Sequence, residues 1–134
     1  MIVTKDDTLP LQSSQDVVVA RQLVRTRAAE LGFSLVDQTK IVTAASELAR
    51  NTLEHGGGGE CRIESISEGM RKGLRLCFED HGPGIPDVQL ALTDGYTSKN
   101  GMGLGLSGSK RLVNEFKIET HVGQGTRVTV VKWK

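Results

Sequence analysis

The sequence predicts an α+β fold, a two-layer α/β sandwich whose mixed, mainly antiparallel sheet is covered on one face by about three helices. Three observations lead there. Apolar residues recur at helical spacing through residues 14–31 and again from Ser34 onward. The pattern then switches to alternation, with Leu74, Leu76 and Phe78 on one face of a strand. Two further β-rich runs close the chain around a Gly123-Gln-Gly125 turn.

The first dozen residues suit an edge strand, because Pro10 lacks the N–H that a central strand must donate. From Ser14, the residues Val17, Ala20, Val24, Ala28 and Leu31 form one helical stripe, which Gly32 ends. Ser34 is a candidate N-cap, and Asp37 three residues later completes a capping-box pattern. Ile41, Ala45, Leu48 and Thr52 form the stripe of that second helix. At 100° per residue, Glu47 and Asn51 fall side by side on its border. Gly56-Gly-Gly-Gly59 must end it. Residues 61–67 read as a strand, 69–73 as a hairpin-like turn, and the next strand runs to Asp80. Asp80 shares the parity of Leu74, Leu76 and Phe78, so its carboxylate emerges at the end of a buried row. Residues 87–100 read as an irregular connection. A third helix is expected over about 104–116, with Leu106, Ser109, Val113 and Phe116 in register, followed by strands over 117–121 and 126–133.

Length and composition fit one domain spanning residues 1–134, with 37% hydrophobic and 25% charged residues. Seventeen basic residues against sixteen acidic ones leave a net charge of +1, which gives no electrostatic case for nucleic acid. Few aromatics are available as stacking platforms. No run approaches the roughly 20 apolar residues that span a bilayer, and no secretory signal opens the chain. A cytoplasmic protein without a membrane partner is expected. Cys61 and Cys77 sit on separate expected strands, where two reduced thiols are favoured over a disulfide. Neither they nor His55, His81 and His121 show metal-ligand spacing.

Three blocks carry the chemistry. In Gly101-Met-Gly-Leu-Gly-Leu106, the glycines at 103, 105 and 108 satisfy a dinucleotide fingerprint, but a polar loop precedes them instead of a strand. The phosphate-loop pattern also fails, since no Gly-Lys-Ser/Thr follows. What remains is a loop whose amides can approach an anion at a helix entry, weighed evenly against a merely flexible loop. Asp80-His-Gly-Pro-Gly-Ile85 reads by default as a turn. Yet a carboxylate ending a buried row needs a donor, such as an exocyclic amine. Glu47 and Asn51 have the ordinary reading of a polar helix edge. Their chemistry also suits a hydroxyl-activating base and a neutral oxygen for hydrated magnesium.

Taken in order, these blocks resemble the Bergerat-fold ATPases, the superfamily that includes histidine kinases, gyrase-type topoisomerases and the ninety-kilodalton heat-shock chaperone. The resemblance implies that ATP and magnesium are the ligands. It implies Glu47 as general base and Asn51 as magnesium ligand. Asp80, Gly82, Gly84 and Ile85 match the first glycine box, in which the Asp accepts from the adenine amino group. Gly101, Met102, Gly103, Leu104, Gly105 and Leu106 match the second, which wraps the phosphates. Gly125-Thr126 resembles the last box, whose Thr supports the adenine contact. His55 stands where histidine kinases usually carry a basic residue.

Ser46-Glu-Leu-Ala-Arg-Asn51, Glu79-Asp-His-Gly-Pro-Gly-Ile-Pro-Asp87 and Lys110-Arg-Leu-Val-Asn-Glu-Phe116 are similar to the anti-sigma-factor serine/threonine kinases, particularly the stressosome switch-kinase type. That narrower resemblance implies a bacterial partner-switching kinase. Its substrate would be an anti-sigma-antagonist (STAS) type protein, with a phosphatase or sigma factor as a further partner. Residues 87–100 would form an ATP lid in which Ser98 and Lys99 reach phosphate. The alternative is a nucleotide-controlled binding module with little catalysis, against which Glu47 argues, since a pure binder needs no base. A detached piece of a larger gyrase-like ATPase is disfavoured by the chain's length.

Overall fold

A computed structural model describes residues 1–93 and 105–134. Among these the chain forms five strands and four helices. In order they are β1 (Ile2–Leu11), α1 (Ser14–Glu30), α2 (Leu35–Glu54), β2 (Gly59–Glu68), β3 (Arg71–Asp80), α3 (Val88–Ala91), α4 (Gly105–Arg111), β4 (Glu115–His121) and β5 (Gly125–Trp133).

Local chemistry sets the helix ends. Ser13 Oγ accepts the Asp16 N–H at 3.2 Å and starts α1. Its stripe of Val17, Ala20, Val24 and Ala28 is buried, as expected. Gly32, at φ +86°, then lets Phe33 N–H reach Ala28 O and Gly32 N–H reach Ala29 O, both at 3.0 Å. Ser34 caps α2 by accepting the Asp37 N–H at 3.1 Å. The reciprocal half of the expected capping box is missing. Asp37 instead faces Lys132, with Oδ1 3.6 Å from Nζ, because the end of β5 lies beside the start of α2.

The sheet order is β1-β2-β3-β5-β4, and Pro10 does lie on an edge strand. All four registered pairings are antiparallel, which corrects the expectation of a mixed sheet. The topology explains it. β4 runs in the same direction as β3, but β5 lies between them, so no parallel neighbours result. The expected third helix is also shorter than its apolar spacing suggested. α4 stops at Arg111, and Phe116 belongs to β4, opposite Val130. Asn114 makes the break: its N–H donates to Val131 O and its Oδ1 accepts the Trp133 N–H, so pairing with β5 begins there. Within α4, Gly108 and two serines offer weak helix propensity against that pairing.

The helices cover one sheet face, and the core lies between the layers. Leu74, Leu76, Phe78, Ile63 and Val130 from the sheet meet Val24, Ile41 and Leu48 from the helices, all essentially buried. The opposite face is polar. Arg62 pairs with Asp6, Arg75 with Glu64 and Arg127 with Glu79. Cys61 faces the core opposite Phe78, whereas Cys77 lies on the polar face opposite Arg62. The register therefore keeps the thiols on opposite sides of the sheet, and both are free.

Candidate functional site

The inward rows of three neighbouring strands end in polar residues at the same end of the sheet. Along β3 the row Leu74, Leu76, Phe78 reaches Asp80; along β5 the row Val130, Val128 reaches Thr126; along β4 the row Phe116, Ile118 reaches Thr120. Asp80 is the register partner of Thr126, and Thr126 of Thr120, so the three form one rung across the sheet.

Hydrogen bonds tie this rung to the loop after β3. Asp80 Oδ1 accepts the Gly82 N–H at 2.9 Å and the Thr126 N–H at 3.3 Å. Thr120 Oγ1 accepts the Ile85 N–H at 2.9 Å and lies 2.8 Å from Thr126 Oγ1. Glycines are required by close approach as much as by turning. A Cβ on Gly82 would sit 2.6 Å from Gly56 O, and one on Gly84 (φ +77°) 2.6 Å from His121 O. A Cβ on Gly56 would overlap the Asp80 carboxylate.

Over the rung lies a cavity of about 290 Å³ with mostly apolar walls. Leu48 from α2, Phe78 from β3, Val128 from β5 and Leu106 from α4 supply those walls, and Ile85 with Pro86 covers one side. Asn51, Thr52, Asp80 and Thr126 supply polar lining, with His55 at the α2 end. A slot of this kind suits a flat heteroaromatic ring whose edge is read by a carboxylate and a hydroxyl.

Glu47 lies elsewhere. Though one turn from Asn51, it lines a separate depression between α1 and α2, together with Arg21, Gln22 and Arg25. It is 8% exposed. Its Oε1 accepts from Arg50 Nη1 at 3.0 Å, while the buried Oε2 has no hydrogen-bond partner among the described residues. A buried carboxylate oxygen without a donor is costly and marks a group with uncommitted capacity.

Of the residues singled out from the sequence, Asn51, Asp80, Gly84, Ile85, Gly105, Leu106 and Thr126 are brought together at the cavity. Gly82 sits just behind Asp80 and bonds to it. Ser98, Lys99, Gly101, Met102, Gly103 and Leu104 lie outside the described residues, as does the stretch 94–100 of the 87–100 connection. Within its described part, Asp87 caps the single turn of α3 by accepting the Leu90 N–H at 3.0 Å. Among the described residues no group of three or more His, Cys, Asp or Glu is placed to hold a metal ion.

Residues 36–134 match the family described as histidine kinase-, DNA gyrase B-, and HSP90-like ATPase. The chain belongs to that ATPase family. Among its relatives, a protein named serine/threonine-protein kinase RsbT from Bacillus subtilis is 46% identical over 123 residues, 92% of each chain. An anti-sigma F factor from Clostridium novyi is 32% identical over 127 residues, 91% of this chain and 89% of that one. A crystal structure of the RsbU and RsbW domains of a Mycobacterium tuberculosis protein superposes with a TM-score of 0.63 at 21% identity. It covers 98% of this chain and 33% of that one, and shares the ATPase-family fold.

Sequence reasoning missed Gly56 and Thr120 as site residues. Gly56 was hidden in a run of four glycines whose evident task is to end a helix. Thr120 was legible in principle, because it continues the row of Phe116 and Ile118 just as Asp80 continues that of Phe78. Assigning Phe116 to a helix removed that row from view.

Proposed function

We propose that the protein is an ATP-dependent serine/threonine protein kinase of a bacterial partner-switching system, acting on a STAS-type antagonist or scaffold protein. The observation that carries the reading beyond nucleotide binding is Glu47, one helical turn from the cavity-lining Asn51, whose buried Oε2 has no hydrogen-bond partner among the described residues. A serine/threonine kinase aligned over 92% of the chain adds to it.

In the mechanism, Asp80 accepts the exocyclic amine of adenine and Thr126 meets the neighbouring ring edge. The apolar walls hold the ring and exclude water. The Asn51 amide oxygen, on the cavity lining, would hold a magnesium ion as a neutral oxygen ligand. Magnesium, when bound, neutralises and orients the phosphate oxygens. Gly101, Met102, Gly103, Leu104, Gly105 and Leu106 supply backbone N–H groups for the phosphates. Glu47 accepts the proton of the incoming hydroxyl as the oxygen–phosphorus bond forms and the bond to the β-phosphate oxygen breaks, releasing ADP. A phosphatase or a sigma factor is the further partner of the switch. The domain spans residues 1–134 and works in the cytoplasm; no helix among the described residues is long and apolar enough to cross a membrane.

The test is phosphotransfer from γ-labelled ATP to a STAS-type protein by wild type and Glu47→Gln. Wild type should form an acid-stable phosphoester. Glu47→Gln should lose about 100-fold or more in transfer, the usual worth of a general base, while binding ATP within about threefold of wild type. Full transfer by Glu47→Gln removes it from the mechanism. Partner binding that depends on ATP with no transfer by wild type establishes the binding-module reading instead.

A further inference from the structure

Glu47 is held at one point. Among the described residues Arg50 is the side chain that donates to it, from Nη1 to Oε1 at 3.0 Å, and the buried Oε2 receives no donor. Other pairs in the chain are made differently. Arg75 clasps Glu64 through Nε and Nη2, one nitrogen to each carboxylate oxygen, at 2.8 and 3.1 Å. Arg62 clasps Asp6 in the same way, at 2.9 and 2.6 Å. Those clasps cross between neighbouring strands and occupy both oxygens. Glu47 and Arg50 instead stand three residues apart on α2, and their contact uses a single nitrogen and a single oxygen.

A pair that served stability alone would gain by closing on both oxygens, because the bare Oε2 is costly where it is buried. The terminal torsion of a glutamate is broad, so an untethered carboxylate turns freely about it. One charge-assisted hydrogen bond to Oε1 fixes that torsion and leaves Oε2 facing one way. Asn51, next in the chain after Arg50, lines the nucleotide cavity, so one turn of α2 carries the tether, the carboxylate and a cavity residue. We propose that Arg50 is a positioning residue that holds Oε1 and so presents Oε2 to the acceptor hydroxyl. The proton of that hydroxyl passes to Oε2 as its oxygen bonds to the γ-phosphorus and ADP leaves, while Arg50 keeps its own protons. This rests on the kinase reading with Glu47 as its base, and concerns what aims that base.

The experiment is single-turnover transfer from γ-labelled ATP to a STAS-type protein, over a series of ATP concentrations, with thermal melts alongside. The proteins compared are wild type, Arg50→Gln, Arg50→Lys, Glu47→Gln and the Glu47→Gln/Arg50→Gln double variant. Arg50→Gln should transfer about tenfold or more slowly at saturating ATP, with half-saturation within about twofold of wild type. Arg50→Lys keeps one cationic donor and should recover transfer to within about threefold of wild type. On Glu47→Gln, adding Arg50→Gln should slow transfer less than about twofold, because no base is left to aim. A merely structural role would slow both backgrounds alike. Equal losses on the two backgrounds therefore overturn the proposal. So does a folded Arg50→Lys that transfers more than about tenfold below wild type, a result that needs no other variant to fold. Wild-type speed in Arg50→Gln overturns this proposal alone. Glu47→Gln with full transfer, or wild type with none, overturns the kinase reading and this proposal together.

Discussion

Asp80 holds its place on the rung because its surroundings leave room for it. Two backbone N–H groups orient Oδ1, and Gly56 gives up its side chain to make room for the carboxylate. Gly56→Ala is therefore expected to push Asp80 off the rung and to weaken ATP binding about tenfold or more, with the fold retained on a melting curve. ATP affinity unchanged in a folded Gly56→Ala protein would show that the contact is not needed. Glu47 differs in kind: its carboxylate is buried beside Arg50 rather than on the cavity wall. Their residue types and order were legible in the sequence. Which depression each one opens into was not, because helix rotation gives a direction but not what packs there.

Among the elements, local signals were read well where they were strong. Ser34 caps α2 as its pattern implied, and Ser34→Ala should cost about 1 kcal/mol in chemical denaturation without altering nucleotide binding. The length of α4 was misread because tertiary pairing overrode an apolar spacing that fits a helix and a strand almost equally. Only Asn114, bonded to both Val131 and Trp133, marks the change. The sheet register separates Cys61 from Cys77, and burial pushes both thiols above their ordinary range. Held as neutral thiols, both should react slowly with a disulfide reagent at pH 8. Cys77 should react first and Cys61 only on unfolding. Rapid equal labelling would contradict that placement.

For the whole molecule, the core and the site share residues. Leu48, Phe78, Val128 and Leu106 belong both to the packed layer and to the cavity wall. Leu48→Ala should therefore destabilise the protein by about 2–5 kcal/mol and also loosen nucleotide binding. The two-layer architecture was legible because hydrophobic period switches cleanly from helix to strand. The purely antiparallel pairing was not, since it depends on β5 inserting between β3 and β4. That insertion is also what assembles Asp80, Thr126 and Thr120 into one rung at one end of the sheet. The most direct measurement of the rung as an adenine site is competition between ATP and GTP for wild type and Asp80→Asn. Wild type should prefer ATP by about tenfold or more, and Asp80→Asn should lose both affinity for ATP and that preference. Asp80→Asn binding ATP with undiminished affinity and selectivity would contradict the assignment.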